Sequence, residues 1–460
     1  MEYVSHLQVH KAIARTGRLN WSQCRTLGIS MLGGALEYYE FLVFVFMVPV
    51  LGQLFFPPGT SPWLRSLQTL GIFAAGYIIR PFGGLILGVF GDRFGRKRMF
   101  IVTLALMALP TLAIGLLPTY AQVGVVAPLL LLLCRLCQGL AMGGEIPTAL
   151  TFVVEHVEDR RTGLAIGILG AGLGAGTLMG ILTVALIGKA FTQHEVLEFA
   201  WRMPFVLGGI FGLLSAALRR FVSETPVFAE MADRKQLSQS LPLREVFVKY
   251  RRELLIALLA SLASNAIVQV ASLFPVTFFQ AELKFPAQVV HQAQLGFIAV
   301  SMVSVVIGNW LMDRIGWTFS ITLAAIGQLA CGILVYSAPT VDNLAWHMAL
   351  SGIPIAIVIM LNNHLVRVFP AQVRITGISA AHNIATALAG GILPVAMGAL
   401  AHYDHRAMIY VPAAFAILAV VLTPIAVRYR KPLRFIDPAV DEREGVAEFK
   451  HNRSAQWTRK

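Results

Sequence analysis

Gly88-Val89-Phe90-Gly91-Asp92-Arg93-Phe94-Gly95-Arg96-Lys97 separates two long apolar blocks, and a shortened copy, Met312-Asp313-Arg314-Ile315-Gly316, stands at the matching place later in the chain. Glycines at this spacing permit a tight turn and close helix approach. Asp92 is suited to a helix N-terminus and the arginines to carboxylates. A second landmark repeats at nearly the same offset: Arg161-Thr162-Gly163-Leu164-Ala165 and Arg374-Ile375-Thr376-Gly377-Ile378-Ser379. The chain therefore reads as a duplicated unit. Its hairpin carries a latch, with Gly88, Asp92, Arg93, Gly95 and Arg96 as gating residues in the first copy and Asp313 and Arg314 in the second.

Outward from the hairpin, apolar blocks dominate. The 460 residues are 57% hydrophobic and 13% charged, with a mean hydropathy of +0.70. A soluble domain of this size needs more charge to cover its surface. A bilayer core takes about 20 apolar helical residues per crossing, and the chain supplies that length repeatedly. The short alternating segments of a barrel do not occur. The blocks predict an all-α polytopic membrane protein with twelve transmembrane helices in two pseudo-symmetric six-helix bundles. The predicted divisions are an N-terminal segment (1–26), a first bundle (27–218), a polar central loop (219–252), a second bundle (253–428) and a mobile tail (429–460). Parallel six-helix repeats place a substrate site between the halves near the midplane.

Basic residues cluster on alternate connections: Lys11 to Arg25, Arg93 to Arg98, Arg160 and Arg161, the central loop, and Arg428 to Arg434. The positive-inside rule puts these, and both termini, in the cytoplasm. The net charge of +13 is thus a matter of lipid headgroups and orientation, not of nucleic acid. The first apolar block is too long for a cleavable signal and runs through Glu37 without a small-residue cleavage site.

Charges inside membrane helices are costly and mark function unless they lie near an end. Glu37 and Glu40, three apart in the first span, share one helical face around Tyr38. Burial and mutual repulsion suit one of them to loading and releasing a proton. Arg80 lies mid-span in the second crossing and needs a carboxylate partner, for which Glu37 and Glu40 are the internal choices, or an anionic ligand. Arg135 and Gln138 share a face of the fourth span, with Glu145 about three turns nearer the cytoplasm. The second half offers Asn362, Asn363 and His364, then His382 and Asn383, as cavity lining or as a hydrogen-bonded structural cluster. Gly167, Gly170, Gly174 and Gly176 read as close packing.

Other classes fare worse. Cys134 and Cys137 form a CxxC flanked by leucines, which suits packing rather than metal or redox chemistry. No metal-ligand set, nucleotide-binding glycine loop or Ser-His-Asp arrangement is present, so no enzyme, catalytic residue or cofactor is expected.

With these residues in view, the hairpin resembles the signature loop of the major facilitator superfamily. Longer stretches resemble its metabolite:proton symporters for citrate, 2-oxoglutarate, dicarboxylates, shikimate, proline or betaine. They are 33–41, 76–97, 135–145, 201–228 with Trp201-Arg202-Met203-Pro204-Phe205 and Glu224-Thr225-Pro226, and 369–394. The resemblance implies alternating access and proton-driven uptake. It points to Glu37, Glu40, Arg80, Arg135 and Glu145 as coupling or solute-binding positions. Taken with the reading of the residues, the candidates are Glu37, Glu40 and Glu145 for coupling, and Arg80, Arg135, Gln138, Tyr38, Asn363, His382 and Asn383 for substrate. Departures are Tyr38 and Glu40 in the first span, Arg367 where the family has Glu, His382 for Tyr, and a second hairpin that ends Gly316-Trp317 without basic residues. The expectation is a monomeric bacterial inner-membrane symporter, in contact with lipid. It would use the proton as coupling ion and carry a small organic anion, a carboxylate. The alternatives are an efflux antiporter and a symporter of a zwitterionic osmolyte such as betaine or proline.

Overall fold

The computed structural model describes residues 20–436 apart from 235, 237–241, 394, 395, 398, 399, 401 and 402. Eleven helices among them are long and apolar enough to cross a membrane. The first bundle holds α1 (Trp21–Phe46), α2 (Pro62–Phe94), α3 (Arg96–Leu116), α4 (Val126–Glu155), α5 (Thr162–Ala190) and α6 (Met203–Leu218). The second holds α7 (Arg251–Val268), α8 (Ala287–Ile315), α9 (Trp317–Ser337), α10 (Leu344–Ser351 and Ala356–Val368), α11 (Arg374–Ala387) and α12 (Ala407–Arg428). The helix α11 is prolonged by a π-helical turn, Leu388–Ile392, and α7 by another, Gln269–Leu273. The architecture is the all-α, twelve-helix one.

Local chemistry sets the helix ends. α1 starts at Trp21, six residues before the expected apolar block, because Asn20 and Gln23 form a capping box. Gly95 (φ +111°) and Gly316 (φ +98°) end α2 and α8 in conformations that side chains with a Cβ rarely adopt. The next helix then begins at once, at Arg96 and at Trp317.

Within the first half α2 packs on α4, α1 on α5 and α3 on α6. Within the second, α7 packs on α10 and α11, and α9 on α12. The halves meet where α5 lies on α8 and α10, and where α11 lies on α2 and α4. Glycine makes the first seam close: a Cβ at Gly167 would stand 2.7 Å from the Val305 carbonyl, and one at Gly174 2.6 Å from the Met302 side chain.

Two short helices, Pro226–Asp233 and Pro242–Val248, lie in the connection between halves. Residues 429–436 of the expected mobile tail are held instead. Lys431 N donates to Arg367 O at 2.7 Å, Ala371 N to Phe435 O at 3.0 Å, and Leu433 is buried. Backbone pairing with the α10–α11 turn fixes them. Residues 437–460 lie outside the described residues.

Candidate functional site

The basic connections gather on one face, and there the halves are latched. Asp92, at the end of α2, accepts from Ile375 N (3.2 Å), Thr376 N (2.9 Å) and Thr376 Oγ1 (2.8 Å) at the start of α11. Asp313, at the end of α8, accepts from Gly163 N (2.9 Å) and Leu164 N (2.8 Å) at the start of α5. Each carboxylate satisfies amides that no intrahelical carbonyl can reach, and sits at the positive end of a helix dipole. Gly88 brings α2 onto α11: a Cβ there would stand 3.1 Å from Thr376 Cα.

Buried ion pairs extend the first latch. Arg96 lies 3.5 Å from both Asp92 and Glu155, and donates to Ala371 O at 2.6 Å. Glu155 also takes a close bond from Arg374 and one of 2.6 Å from Thr225 Oγ1. Glu224 accepts from Lys97 N at 3.0 Å, capping α3. The second latch differs. Arg314, expected to gate, is exposed and stacks over Trp310 at 4.7 Å. The ion pair across this latch is made by Arg367, which bonds Asp159 Oδ2 (2.9 Å) and Asp159 O (2.7 Å).

Deeper in, the first half buries three carboxylates, Glu37, Glu40 and Glu145, and three guanidiniums, those of Arg80, Arg135 and Arg219. The two carboxylates of α1 part company. Residues three apart on a helix are still about 60° apart in azimuth. Glu37 points between the halves into a gap of about 20 Å³, room for one water, lined by Ile146 and Leu169 on one side and Ile359 and Asn362 on the other. Its Oε1 is buried without a hydrogen-bond partner. Glu40 turns into its own bundle, beside Gly212, and accepts from Thr111 Oγ1 at 2.9 Å.

That bond begins a chain of side chains. Thr111 Oγ1 accepts from Gln138 Nε2 (2.7 Å), and Gln138 Oε1 from Arg135 Nη1 (2.7 Å). The Arg135 guanidinium lies 3.6 Å from the Phe44 ring centre and 5.3 Å from that of Phe73. No ion pair to Arg135 exists among the described residues, so ring faces and the Gln138 dipole balance its charge. Glu145, expected to couple protons, is ion-paired to Arg219 at 2.8 Å and bonded by Thr103. It holds α4 to α3 and α6.

Arg80 makes no ion pair with Glu37 or Glu40, the internal partners the sequence offered beside an anionic ligand. Its guanidinium lies 5.3 Å from the Tyr77 ring centre, and His382 is buried on α11 with its Nδ1 unpartnered. Tyr77 faces the π-helical turns, since a Cβ at Gly390 would come within 3.5 Å of its ring and 3.3 Å of Gln269 Nε2. Asn383 stitches the halves instead of lining open space, donating to Gly143 O at 2.7 Å. Asn363 bonds Asn309, and His364 packs on Trp317 and Thr423, so both belong to the second bundle's interior.

Sequence reasoning passed over Glu155, Asp159 and Arg219. Arg374 and Arg367 stood in quoted stretches without a role. A charge at a helix end was discounted there, although Glu155, Arg219, Arg367 and Arg374 are all buried.

The fold and this latched interface are those of a two-bundle membrane transporter. Residues 26–381 match the model of the Major Facilitator Superfamily, and the chain belongs to that family. It is 29% identical over 384 residues to a proline/betaine transporter of Salmonella typhimurium strain LT2, covering 80% of this chain and 75% of that protein. It is 27% identical over 440 residues to the glycine betaine/proline/ectoine/pipecolic acid transporter OusA of Dickeya dadantii, covering 91% and 86%. Among solved structures, the proton:xylose symporter XylE bound to a bromodeoxyglucose superimposes with a TM-score of 0.74 at 16% identity, over 90% of this chain and 98% of that one. The last likeness concerns the fold alone.

Proposed function

We propose that this transporter takes up a small zwitterionic osmolyte, of the betaine or proline type, together with a proton. The carrying observation is that Arg80 is buried on α2 without an ion pair among the described residues, its Nε unpartnered and its guanidinium 5.3 Å from the Tyr77 ring centre. A guanidinium fork suits a carboxylate. Tyrosine ring faces suit an alkylated ammonium, through the ring quadrupole. The interior's three carboxylates and three guanidiniums support a ligand that adds no net charge. The names of the relatives favour the same class over the organic anion expected from sequence.

In this reading Glu37 carries the coupling proton, because of the three buried carboxylates it is the one that lines the gap between halves, with its Oε1 unpartnered there. Glu40, Thr111, Gln138 and Arg135 shape the wall behind it. The basic face is cytoplasmic, as are both termini, in a bacterial inner membrane. The latches close that face while the other admits solute. Calorimetry with glycine betaine, proline, citrate, 2-oxoglutarate, shikimate and glucose tests the substrate class. Binding of the zwitterions with silent carboxylates supports it; citrate or 2-oxoglutarate binding with silent zwitterions returns the organic-anion reading.

A further inference from the structure

The two latches occupy equivalent places in the duplicated fold, yet their charges are arranged differently. Glu155 stands seven residues before Thr162, the first residue of α5, and Arg367 seven before Arg374, the first of α11. The hairpin helices open with Arg96 in α3 and with Trp317 in α9, each directly after a positive-φ glycine. A short 3-10 turn precedes α5 and α11 alike, beginning at Asp159 and at Ala371.

A guanidinium reaches the same backbone carbonyl in both latches. Arg96 of the first half donates to the carbonyl of Ala371 in the second, at 2.6 Å. Arg367 of the second half donates to the carbonyl of Asp159 in the first, at 2.7 Å. The arginine comes from the hairpin in one case and from the end of α10 in the other. Trp317 cannot supply it, and its ring instead packs on His364 and beneath Arg430, at 4.4 Å. The neighbours change in step. Glu155 is matched to Arg96 and Arg374, whereas Arg367 faces the Asp159 carboxylate at 2.9 Å and the Thr162 hydroxyl at 3.3 Å.

We propose that Arg367 is the positioning arginine of the second latch, standing in for the hairpin arginine that Trp317 displaces, so that residues 317 and 367 form one compensated pair. A latch then needs one guanidinium on the turn carbonyl and one carboxylate beside it, and either helix can deliver the cation. Arg367→Glu puts a third carboxylate beside Asp159 and Asp313 and removes the cation. Trp317→Arg in that background returns a guanidinium from the hairpin and gives it Glu at 367 as a partner, which is the arrangement of the first latch.

The proposal rests on alternating access as read above, but its test needs no substrate, so its failure is distinguishable from failure of the zwitterion reading. Spin labels are placed at Arg160→Cys and Thr318→Cys, exposed positions on either side of the second latch, in the full chain with Cys24, Cys134, Cys137 and Cys331 replaced. Distances are measured by pulsed electron resonance in nanodiscs. The parent should give one short distance. Arg367→Glu should raise the open-to-closed ratio about tenfold or more, since a buried guanidinium paired with the half-exposed Asp159 is replaced by a buried like charge. Trp317→Arg/Arg367→Glu should restore the short distance. If Arg367→Glu does not reach the membrane, Arg367→Gln and Trp317→Arg/Arg367→Gln carry the same comparison. An unchanged distance in the single variant, or a double variant as open as the single, overturns the proposal.

Discussion

Asp92 and Asp313 make the same bond in opposite directions: each carboxylate, from the end of a second-position helix in its half, caps the fifth-position helix of the other half at its second and third residues. Reciprocal caps of this kind tie the halves only when one face is shut. They link the duplicated sequence to a closed state.

Asn at either position keeps the shape and removes the charge. Asp92→Asn and Asp313→Asn should each weaken closure by about 1–2 kcal/mol, the range of a lost cap in a partly buried setting. Asp92→Asn should weaken it more, because Arg96 loses a partner as well. The check is thiol labelling of a cysteine placed at Asn362 in a cysteine-depleted chain, which should quicken from the basic face.

The carboxylates of α1 should separate in function as they do in space. Glu37→Gln should abolish proton-driven accumulation while leaving exchange of solute for solute, which need not cycle the proton. Glu40→Gln should keep accumulation at reduced rate, since its partner Thr111 is also held within 2.9 Å of Met107 O. Equal loss in both variants would return coupling to the pair.

Arg80 and Arg135 should also diverge. Arg80→Lys should lower zwitterion affinity about tenfold, as the ammonium keeps charge and loses the fork. Arg135→Lys should chiefly lower thermal stability, because the guanidinium is clasped by Phe44 and Phe73. Titration calorimetry and a melting curve on each variant separate the two.

Topology is testable at exposed positions. Cysteines at Ser61 and His194 should label from outside intact cells, and those at Arg98 and Arg160 should not. Arg96 is unsuited to this test, being fully buried, and Lys235 lies outside the described residues.

How much of this was legible follows from range along the chain. Apolar blocks and the parity of basic clusters are local, and they carry the bundle architecture. The hairpin's glycines are local too, and Gly95 and Gly316 take the backbone conformations that their spacing implied. Partners were not legible. Glu145 and Arg219 are 74 residues apart, and Glu155 and Arg374 are 219 apart. Nothing in either residue's neighbours names the other. Glu37 and Glu40 show the finer limit, for a shared face within about 60° still lets one carboxylate look across the halves and the other into its own bundle.

The central claim is tested most directly by uptake into proteoliposomes. The purified chain is reconstituted, an inward proton gradient is imposed, and radiolabelled glycine betaine is followed inside. The account predicts accumulation above the outside concentration that collapses with a protonophore and is absent in Glu37→Gln. No accumulation of glycine betaine or proline, or accumulation indifferent to the proton gradient, would contradict it.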